Sequence, residues 1–145
     1  MLRFSFKNRS KYGNKKVTFN GVTFDSKKEL QRYKVLLDAE AIGLIEHLRR
    51  QVKFELIPAI REQYEEQLKT KTRTKTRTLQ KAITYTADFE YYDVESDEWV
   101  VEDVKSSPMQ ASLDKVYVLK KKMMFAIKGI KIKEVYNANA NTKNE

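Results

Sequence analysis

Two aspartates and a lysine in the second half of the chain are the residues whose types and spacing suit chemistry best. Asp88 stands in YTADFEYY, and Asp103 stands two residues before Lys105 in VVEDVKS. Carboxylate oxygens suit Mg²⁺, which keeps several waters and needs only one or two carboxylates beside a substrate phosphate. A neighbouring lysine can hold or deprotonate an attacking water and offset the negative charge of the transition state. This combination predicts metal-dependent hydrolysis of a phosphodiester bond.

Strand geometry predicts that the two aspartates meet. Side chains alternate between the faces of a strand, so Asp103 and Lys105 share one face and Glu102 projects from the other. On the preceding strand the odd-numbered residues of 83–91 make an apolar face, which leaves Asp88 on the polar one. If the strands pair with these faces aligned, the aspartates approach each other. Two adjacent carboxylates repel unless one is protonated or a cation joins them, which again favours a metal.

The elements that position these residues follow from hydrophobic periodicity. The asparagine–glycine pair at 20–21 lies between two β-branched and aromatic runs and predicts a β-hairpin over 16–24. A helix is predicted over about 26–42, and the alternating segment QVKFELIP predicts a strand that ends near Pro58. The face of this helix that is expected to be buried carries Leu30, Tyr33, Leu37, Ala41 and Leu44.

The second half of the chain predicts two strands, a helix and a last short strand. The strands cover 82–92 and 98–105 and should pair as an antiparallel hairpin. The helix is capped by Ser112 and runs over about 112–128, and the last strand lies within 130–135. The buried stripe of this helix is predicted to be Leu113, Val116, Leu119, Met123 and Ile127. The order of elements predicts an α+β or mixed α/β domain with one sheet flanked by helices.

The region at about 60–81 is strongly charged and contains TKTRTKTRT, a strict alternation of Thr with Lys or Arg. Because it has no apolar face, we expect a solvated loop or a long hairpin tip. It is either merely soluble or a contact for DNA phosphates through Lys71, Arg73, Lys75 and Arg77. The same two alternatives apply to lysines of the second helix, of which the candidates for DNA contact are Lys115, Lys121 and Lys122.

Composition limits the class of protein. The 145 residues include 29 Lys and Arg against 20 Asp and Glu, which gives a net charge of +9. We expect one domain with a core at about 14–136 and mobile polar tails at 1–13 and 137–145. The absence of cysteine excludes disulfide scaffolds, thiolate zinc sites and cysteine nucleophiles, and a lone His47 argues against a histidine-based site.

Location and partner class follow from the same features. The sequence has no apolar run long enough to cross a bilayer and no signal-peptide core, so we expect a cytoplasmic protein that does not bind membranes. A strongly basic protein in that compartment most often binds polyanions, whose phosphates exchange condensed counterions for Lys and Arg. Charge alone therefore predicts a nucleic-acid partner, without specifying the chemistry.

The chain resembles the PD-(D/E)xK nuclease superfamily, with Asp88 as the first acid and Asp103-Val104-Lys105 as the D-x-K half. The succession FNGVTFDSKKE, QVKFELIP, ITYTADFEYYD and WVVEDVKS narrows the resemblance to small phage and prophage proteins related to Holliday-junction resolvases, over roughly 14–136. The acid before x-K is an aspartate here, whereas many relatives have a glutamate.

The resemblance implies a restriction-endonuclease-like core, in which helices flank a mixed sheet. It implies that Glu29 joins Asp88 and Asp103 in the metal site, either directly or through water. We expect Mg²⁺ as the metal, with Mn²⁺ able to substitute. The resemblance also implies that the Val104 carbonyl supplies a further oxygen and that Lys105 orients the nucleophile. The implied protein is a DNA endonuclease of branched substrates such as Holliday junctions, encoded by a phage or prophage in a bacterial cell. Symmetric cleavage of a junction requires two active sites, and one chain carries a single site, so a homodimer is predicted.

Other interpretations of the same residues stay open. Ser26-x-x-Glu29 is also a capping box, in which Glu29 bonds the Ser26 amide. Asp88 alone would be a solvated strand carboxylate, and Asp103 and Lys105 would be a charge pair worth under about 1 kcal/mol. Alternative functions are a non-catalytic DNA-binding or packaging accessory protein of a phage, and a nuclease for flaps, nicks or single strands. An RNA-binding protein is a further rival, although the sequence has no RRM-like aromatic motif.

Overall fold

The structure is a computed structural model and describes residues 14–137. The tails predicted at 1–13 and 137–145 therefore lie outside the described residues, apart from Asn137. The described range contains the elements β1 (Val17–Phe19), β2 (Val22–Phe24), α1 (Lys27–Ala41), β3 (Ile45–Ile57), β4 (Ile60–Gln67), β5 (Thr72–Gln80), β6 (Ile83–Asp93), β7 (Glu98–Val104), α2 (Pro108–Leu113), α3 (Lys115–Lys128) and β8 (Lys133–Val135).

The central element is a four-stranded mixed sheet in the order β3-β6-β7-β8. β6 pairs antiparallel with both β3 and β7, and β7 pairs parallel with β8. Helices flank the sheet, and β1 and β2 form a separate antiparallel hairpin at the N-terminal side. The α+β class, the mixed sheet flanked by helices and the N-terminal hairpin are thus as predicted, and they are compatible with the restriction-endonuclease-like core that the resemblance implies.

The first half of the chain follows the sequence-based prediction closely. Asn20 and Gly21 turn the first hairpin with φ of 48° and 76°, as a type I′ turn requires. α1 begins one residue after Ser26, whose hydroxyl accepts a hydrogen bond from the Glu29 amide. β3 ends at Ile57, directly before the proline that the sequence marked as its limit.

The buried face of α1 differs from the predicted one. Instead of the face centred on Leu30 and Tyr33, the residues of this helix that are buried are Glu29, Arg32, Leu36 and Ala39. The helix is therefore turned by about one residue, or 100°, relative to the predicted orientation. Two of these four buried residues are charged, and a search for apolar periodicity does not count such residues.

The core is divided between the two faces of the sheet. Leu36 of α1 packs with Phe89 and Tyr91 of β6 in one cluster. Tyr85 and Ala87 of the same strand pack with α3 in the other cluster. The odd-numbered residues of β6 therefore change faces between Ala87 and Phe89, so the prediction that 83–91 make one apolar face is wrong.

A local break in strand geometry explains this change of face. Gln51 on β3 has φ of 49°, in the left-handed region that non-glycine residues seldom adopt. The ladder between β3 and β6 pairs Arg50 with Phe89 and Val52 with Ala87. Gln51 and Asp88 thus stand at the break, where both strands lose their regular alternation.

The second helix of the prediction is two helices. Ser107 caps α2 and Asp114 caps α3, each by accepting a hydrogen bond from a backbone amide three residues on. The prediction that Ser112 caps a single helix is wrong, because its hydroxyl lies within α2 and donates to the Met109 carbonyl. Gly129 ends α3 in the left-handed conformation, as predicted.

The predicted buried stripe of this helix is also wrong. Leu113, Val116, Leu119 and Ile127 are exposed and Met123 is half-buried, whereas Tyr117 and Met124 are the buried residues of α3. α3 carries apolar residues on two faces, so periodicity alone does not decide which face packs on the sheet. The interruption at Asp114 also removes the helical spacing between Leu113 and the residues that follow.

β4 and β5 form a second antiparallel hairpin, called here the arm, which pairs with neither of the other sheets. The region at about 60–81 is thus a long hairpin rather than an irregular loop, which is the second of the two predicted forms. The register places Arg73, Lys75 and Arg77 opposite residues of β4 that include Glu62 and Glu66. None of the helices within 14–137 is long and apolar enough to span a bilayer.

Candidate active site

β6 and β7 bring the two aspartates of the sequence motif together. Their ladder pairs Phe89 with Glu102, so Asp88 and Asp103 are the next residues beyond its end. Asp88 Oδ2 accepts a hydrogen bond of 2.7 Å from the Val104 amide. The approach of the two aspartates that strand geometry predicted is therefore present, and the Val104 backbone lies beside them.

Asp103 is held by two side chains. Lys105 Nζ lies 2.8 Å from its Oδ1, and the Tyr85 hydroxyl donates to its Oδ2. The ammonium of Lys105 also lies 3.7 Å from the centre of the Tyr117 ring, which is a cation–π contact. Asp103 is buried and the Lys105 side chain is 22% exposed, so the lysine links a buried carboxylate to solvent.

Glu29 is connected to Asp88 through one amide. Gln51 Nε2 donates to Glu29 Oε1 at 3.0 Å and to Asp88 Oδ1 at 3.4 Å. The other oxygen of Glu29 accepts from the Asp25 amide at 3.1 Å, and Arg50 lies 3.6 Å from its Oε1. The Ser26 hydroxyl caps the helix, but the return contact of Glu29 is with the Asp25 amide and not with the Ser26 amide that the capping box predicts. Glu29 also connects to Asp88 through Gln51.

Gln51 is a site residue that sequence reasoning missed. Its backbone is strained, because a left-handed conformation costs a non-glycine residue about 1 kcal/mol or more. That conformation places its amide between two carboxylates that come from different elements. The sequence indicates only that Gln51 begins the predicted strand segment QVKFELIP. No neighbouring residue distinguishes this glutamine from a solvated strand residue.

Burial and mutual repulsion raise the pKa values of two carboxyl groups. Burial, followed by the charge of Asp103, raises the pKa of Asp88 to about 7, against the lowering effect of the Val104 amide. Burial likewise raises the pKa of Glu29 from its ordinary value. A cation placed among these groups would offset the repulsion, and this is the electrostatic condition under which a carboxylate pair binds metal.

Asp88→Asn is expected to stabilise the metal-free protein at high pH only. The folded-state pKa of Asp88 is raised, so its ionisation opposes folding progressively as the pH rises from about 4 to about 7. The free energy of unfolding of the variant should exceed that of wild type by up to about 4 kcal/mol at pH 8, and the two should be nearly equal at pH 4. Urea unfolding in EDTA measures this difference, with exposed Asp38→Asn as the control. Equal effects of Asp88→Asn at both pH values would contradict the assigned environment.

The donor set fits a cation that needs few protein ligands. Within 14–137, no group of three or more His, Cys, Asp or Glu is arranged to hold a metal ion. The two aspartates remain, and each carboxylate oxygen has two lone pairs, of which the contacts above use one. Mg²⁺ is satisfied by one or two carboxylates with waters and a substrate phosphate. Glu29 is connected to Asp88 of this pair through the Gln51 amide.

The candidate DNA-binding residues lie on the arm and on α3. On the arm, Lys75 and Arg73 contact Glu66, and Arg77 contacts Glu62, while Lys71 lies at the exposed tip. On α3, Lys115 and Lys122 are exposed, and Lys121 pairs with Glu134, which the β7–β8 ladder places opposite Asp103. The structure thus gathers Asp88, Asp103, Lys105 and, through Gln51, Glu29 into one site, and it does not bring the arm's cations into the contacts of that site.

A buried ion pair fixes α1 over the site. Arg32 donates from Nε and Nη2 to the two oxygens of Glu102, at 2.9 and 2.6 Å, and the Tyr91 hydroxyl donates to Glu102 at 2.6 Å. Glu102 therefore faces α1, away from Lys105, as strand alternation predicted. Because Arg32 lies one helical turn after Glu29, this pair sets where Glu29 stands relative to β7.

One family comparison gives a match. The family model described as DUF1064, protein of unknown function, matches residues 9–143. No curated protein and no solved structure matches the chain significantly. The match covers nearly the whole sequence, including every residue of the site, and the chain belongs to the DUF1064 family.

Proposed function

We propose that the protein is a Mg²⁺-dependent DNA endonuclease that hydrolyses phosphodiester bonds at Asp88, Asp103 and Lys105. The observation that carries the proposal is the pair of adjacent aspartates at the end of the β6–β7 ladder, with a lysine ammonium 2.8 Å from one of them. A solvated strand carboxylate and an ordinary surface charge pair do not explain why Asp103 is buried and Asp88 half-buried.

Each residue of the site has a role in this proposal. Asp88, Asp103 and the Val104 carbonyl would hold Mg²⁺ or Mn²⁺, which supplies Lewis-acid polarisation of the scissile phosphate. Lys105 would orient the attacking water and offset the charge that develops on the phosphate oxygens. The Tyr85 hydroxyl fixes the orientation of Asp103. Gln51 keeps Asp88 and Glu29 at a set separation.

DNA would be held by charge and shape rather than by base readout. The net charge of +9 supports a polyanionic substrate. The arm contributes three cations opposite two carboxylates, with Lys71 at its tip, so part of its positive charge is already compensated. The sequence resemblance supports a preference for branched DNA such as Holliday junctions. It also supports an origin in a phage or prophage and a location in the bacterial cytoplasm.

The working form would be a homodimer. Leu113 on α2 and Val116 and Leu119, which lie three residues apart on α3, are each more than half exposed, and exposed apolar side chains that cluster mark interaction sites. A two-fold pair of chains would supply the two active sites that symmetric junction cleavage needs. Sedimentation equilibrium should give twice the monomer mass of 17.1 kDa, and Leu119→Asp should return the monomer mass. A monomeric wild type that still cuts would favour a flap or nick substrate.

A labelled substrate panel tests the proposed function. It contains a four-way junction, a flap, plain duplex and single strand, each with Mg²⁺ or EDTA, and compares wild type with Lys105→Ala. Paired symmetric junction cuts that require the metal and disappear in Lys105→Ala are expected. Cuts confined to another substrate would retain the nuclease and reject the resolvase. Binding without cutting across several divalent ions would favour the accessory DNA-binding protein.

A further inference from the structure

A cleft of about 940 Å³ opens beside the site, between the start of α1, the end of β7 and the start of α2. Its wall includes Val104 and Lys105, which belong to the site, and Ser26, which caps the helix that carries Glu29. The volume lies near the upper end of the 300–1,000 Å³ that is common for ligand sites. The cleft is therefore large enough for a segment of a polymer rather than for a single ion.

The charge of the cleft wall is strongly one-sided. Among the residues of 14–137 that line it, four are lysines and the only acid is Asp114. That aspartate already accepts a hydrogen bond from the Tyr117 amide as the cap of α3. Clefts lined by one sign of charge concentrate the field of their cations and attract ligands of opposite charge. The wall thus favours an extended anion.

Lys28 is held in place in the wall of this cleft. Its ammonium donates to the backbone carbonyls of Lys105 at 3.3 Å and Ser106 at 3.2 Å. An ammonium has three donors, so one of them remains for a ligand. Lys15 and Lys27 are exposed on the same wall. A tethered cation next to a catalytic strand differs from the freely rotating lysines of an ordinary helix surface, since its position relative to Lys105 is set.

We infer that this cleft is the track for the DNA strand on one side of the scissile phosphate, and that Lys15, Lys27 and Lys28 bind its phosphodiester backbone. The inference rests on the proposed nuclease function. A strand whose scissile phosphate lies at Asp103 and Lys105 has its next phosphates within reach of the cleft, because Lys105 belongs to both the site and the wall. The cleft, rather than the arm, is therefore the DNA contact nearest to the proposed catalytic residues.

Salt-dependent binding tests this assignment. The affinity of a labelled DNA oligonucleotide is measured in EDTA over a series of salt concentrations for wild type and Lys27→Ala/Lys28→Ala. The control pair is Lys128→Ala/Lys131→Ala, which removes the same charge from exposed positions outside the cleft. The cleft pair should bind about tenfold more weakly at 0.1 M salt and lower the salt slope by about 1.5, whereas the control pair changes affinity less than about twofold. Lys15→Ala/Lys27→Ala repeats the test with the Lys28 tether intact, in case its loss disturbs folding.

The outcomes separate this inference from the proposed function, which is judged by metal-dependent cutting in the same preparations. Loss of affinity and slope in both cleft pairs supports the track. If wild type cuts DNA but both cleft variants bind DNA as well as the control variant, the assignment of the cleft is wrong and the proposed nuclease function stands. If both cleft variants lose affinity but wild type never cuts, the cleft is a DNA-binding site and the proposed nuclease function is wrong. A wild type that neither binds nor cuts overturns both.

Discussion

Asp103→Asn is expected to remove metal-dependent cleavage while DNA binding stays equal or becomes tighter. Asparagine keeps the shape of the side chain: its carbonyl oxygen can accept from Lys105 while its amide donates to the Tyr85 hydroxyl oxygen, so the fold should persist. The variant lacks the anionic oxygen that would hold the metal, and it no longer repels the phosphate. Single-turnover cleavage should fall by about 10³-fold or more.

The matched control is Asp38→Asn, an exposed aspartate on α1 that lies outside the site. It should cut at the wild-type rate and bind DNA with wild-type affinity. Binding is measured by fluorescence anisotropy in EDTA, so that loss of cleavage is not mistaken for loss of substrate. An Asp103→Asn protein that cuts as fast as Asp38→Asn would show that the site is assigned wrongly.

Glu102, the residue before Asp103, is expected to act on folding rather than on chemistry. Its side chain is fully buried and is paired with Arg32, which is 1% exposed. Removing one partner takes away both short contacts of a buried charge, and the Lys133 ammonium, at 3.9 Å from Glu102, compensates them only in part. Glu102→Ala or Arg32→Ala should therefore lower the free energy of unfolding by about 3–5 kcal/mol. Urea or thermal unfolding measures this loss, and the unfolded fraction would account for any loss of activity.

Two controls separate the buried pair from ordinary salt bridges. Arg77→Ala, which breaks an exposed pair with Glu62 on the arm, should change stability by under about 1 kcal/mol. The double variant Arg32→Leu/Glu102→Leu should be more stable than either alanine variant, because it leaves no charge unpaired. Arg32→Ala with wild-type stability would show that α1 is not held over the site by this pair.

The neighbouring carboxylates Glu102 and Asp103 face opposite sides of the sheet, and strand alternation was sufficient to predict which side each one faces. Asp103 and Lys105 share a face in the sequence and are in contact in the structure, while Glu102 faces α1. The hairpin turn at 20–21, α1 and the β6–β7 hairpin were predictable for the same reason. In each case the information is local, since turn residues, caps and period-two alternation act within a few positions.

The features that escaped prediction depend on contacts between distant elements. The change of face in β6 arises where Gln51 takes a left-handed backbone conformation, and no local pattern encodes that strain. The face of α1 that packs on the sheet contains Arg32, whose burial makes sense only beside Glu102. α3 has two apolar faces, and the sheet rather than the helix selects the one with Tyr117. Tyr85 was assigned to the core, and its hydroxyl proves to be the second support of Asp103.

The most direct test of the central claim is the conversion of supercoiled DNA that carries a cruciform to nicked or linear forms. Wild type, Asp103→Asn and Lys105→Ala are incubated in excess over the DNA, with Mg²⁺ or with EDTA. The account predicts conversion by wild type in Mg²⁺ alone, and intact supercoils with both variants and with EDTA. Intact supercoils with wild type in Mg²⁺ and in Mn²⁺, or equal cutting by all three proteins, would contradict a metal-dependent nuclease at this site.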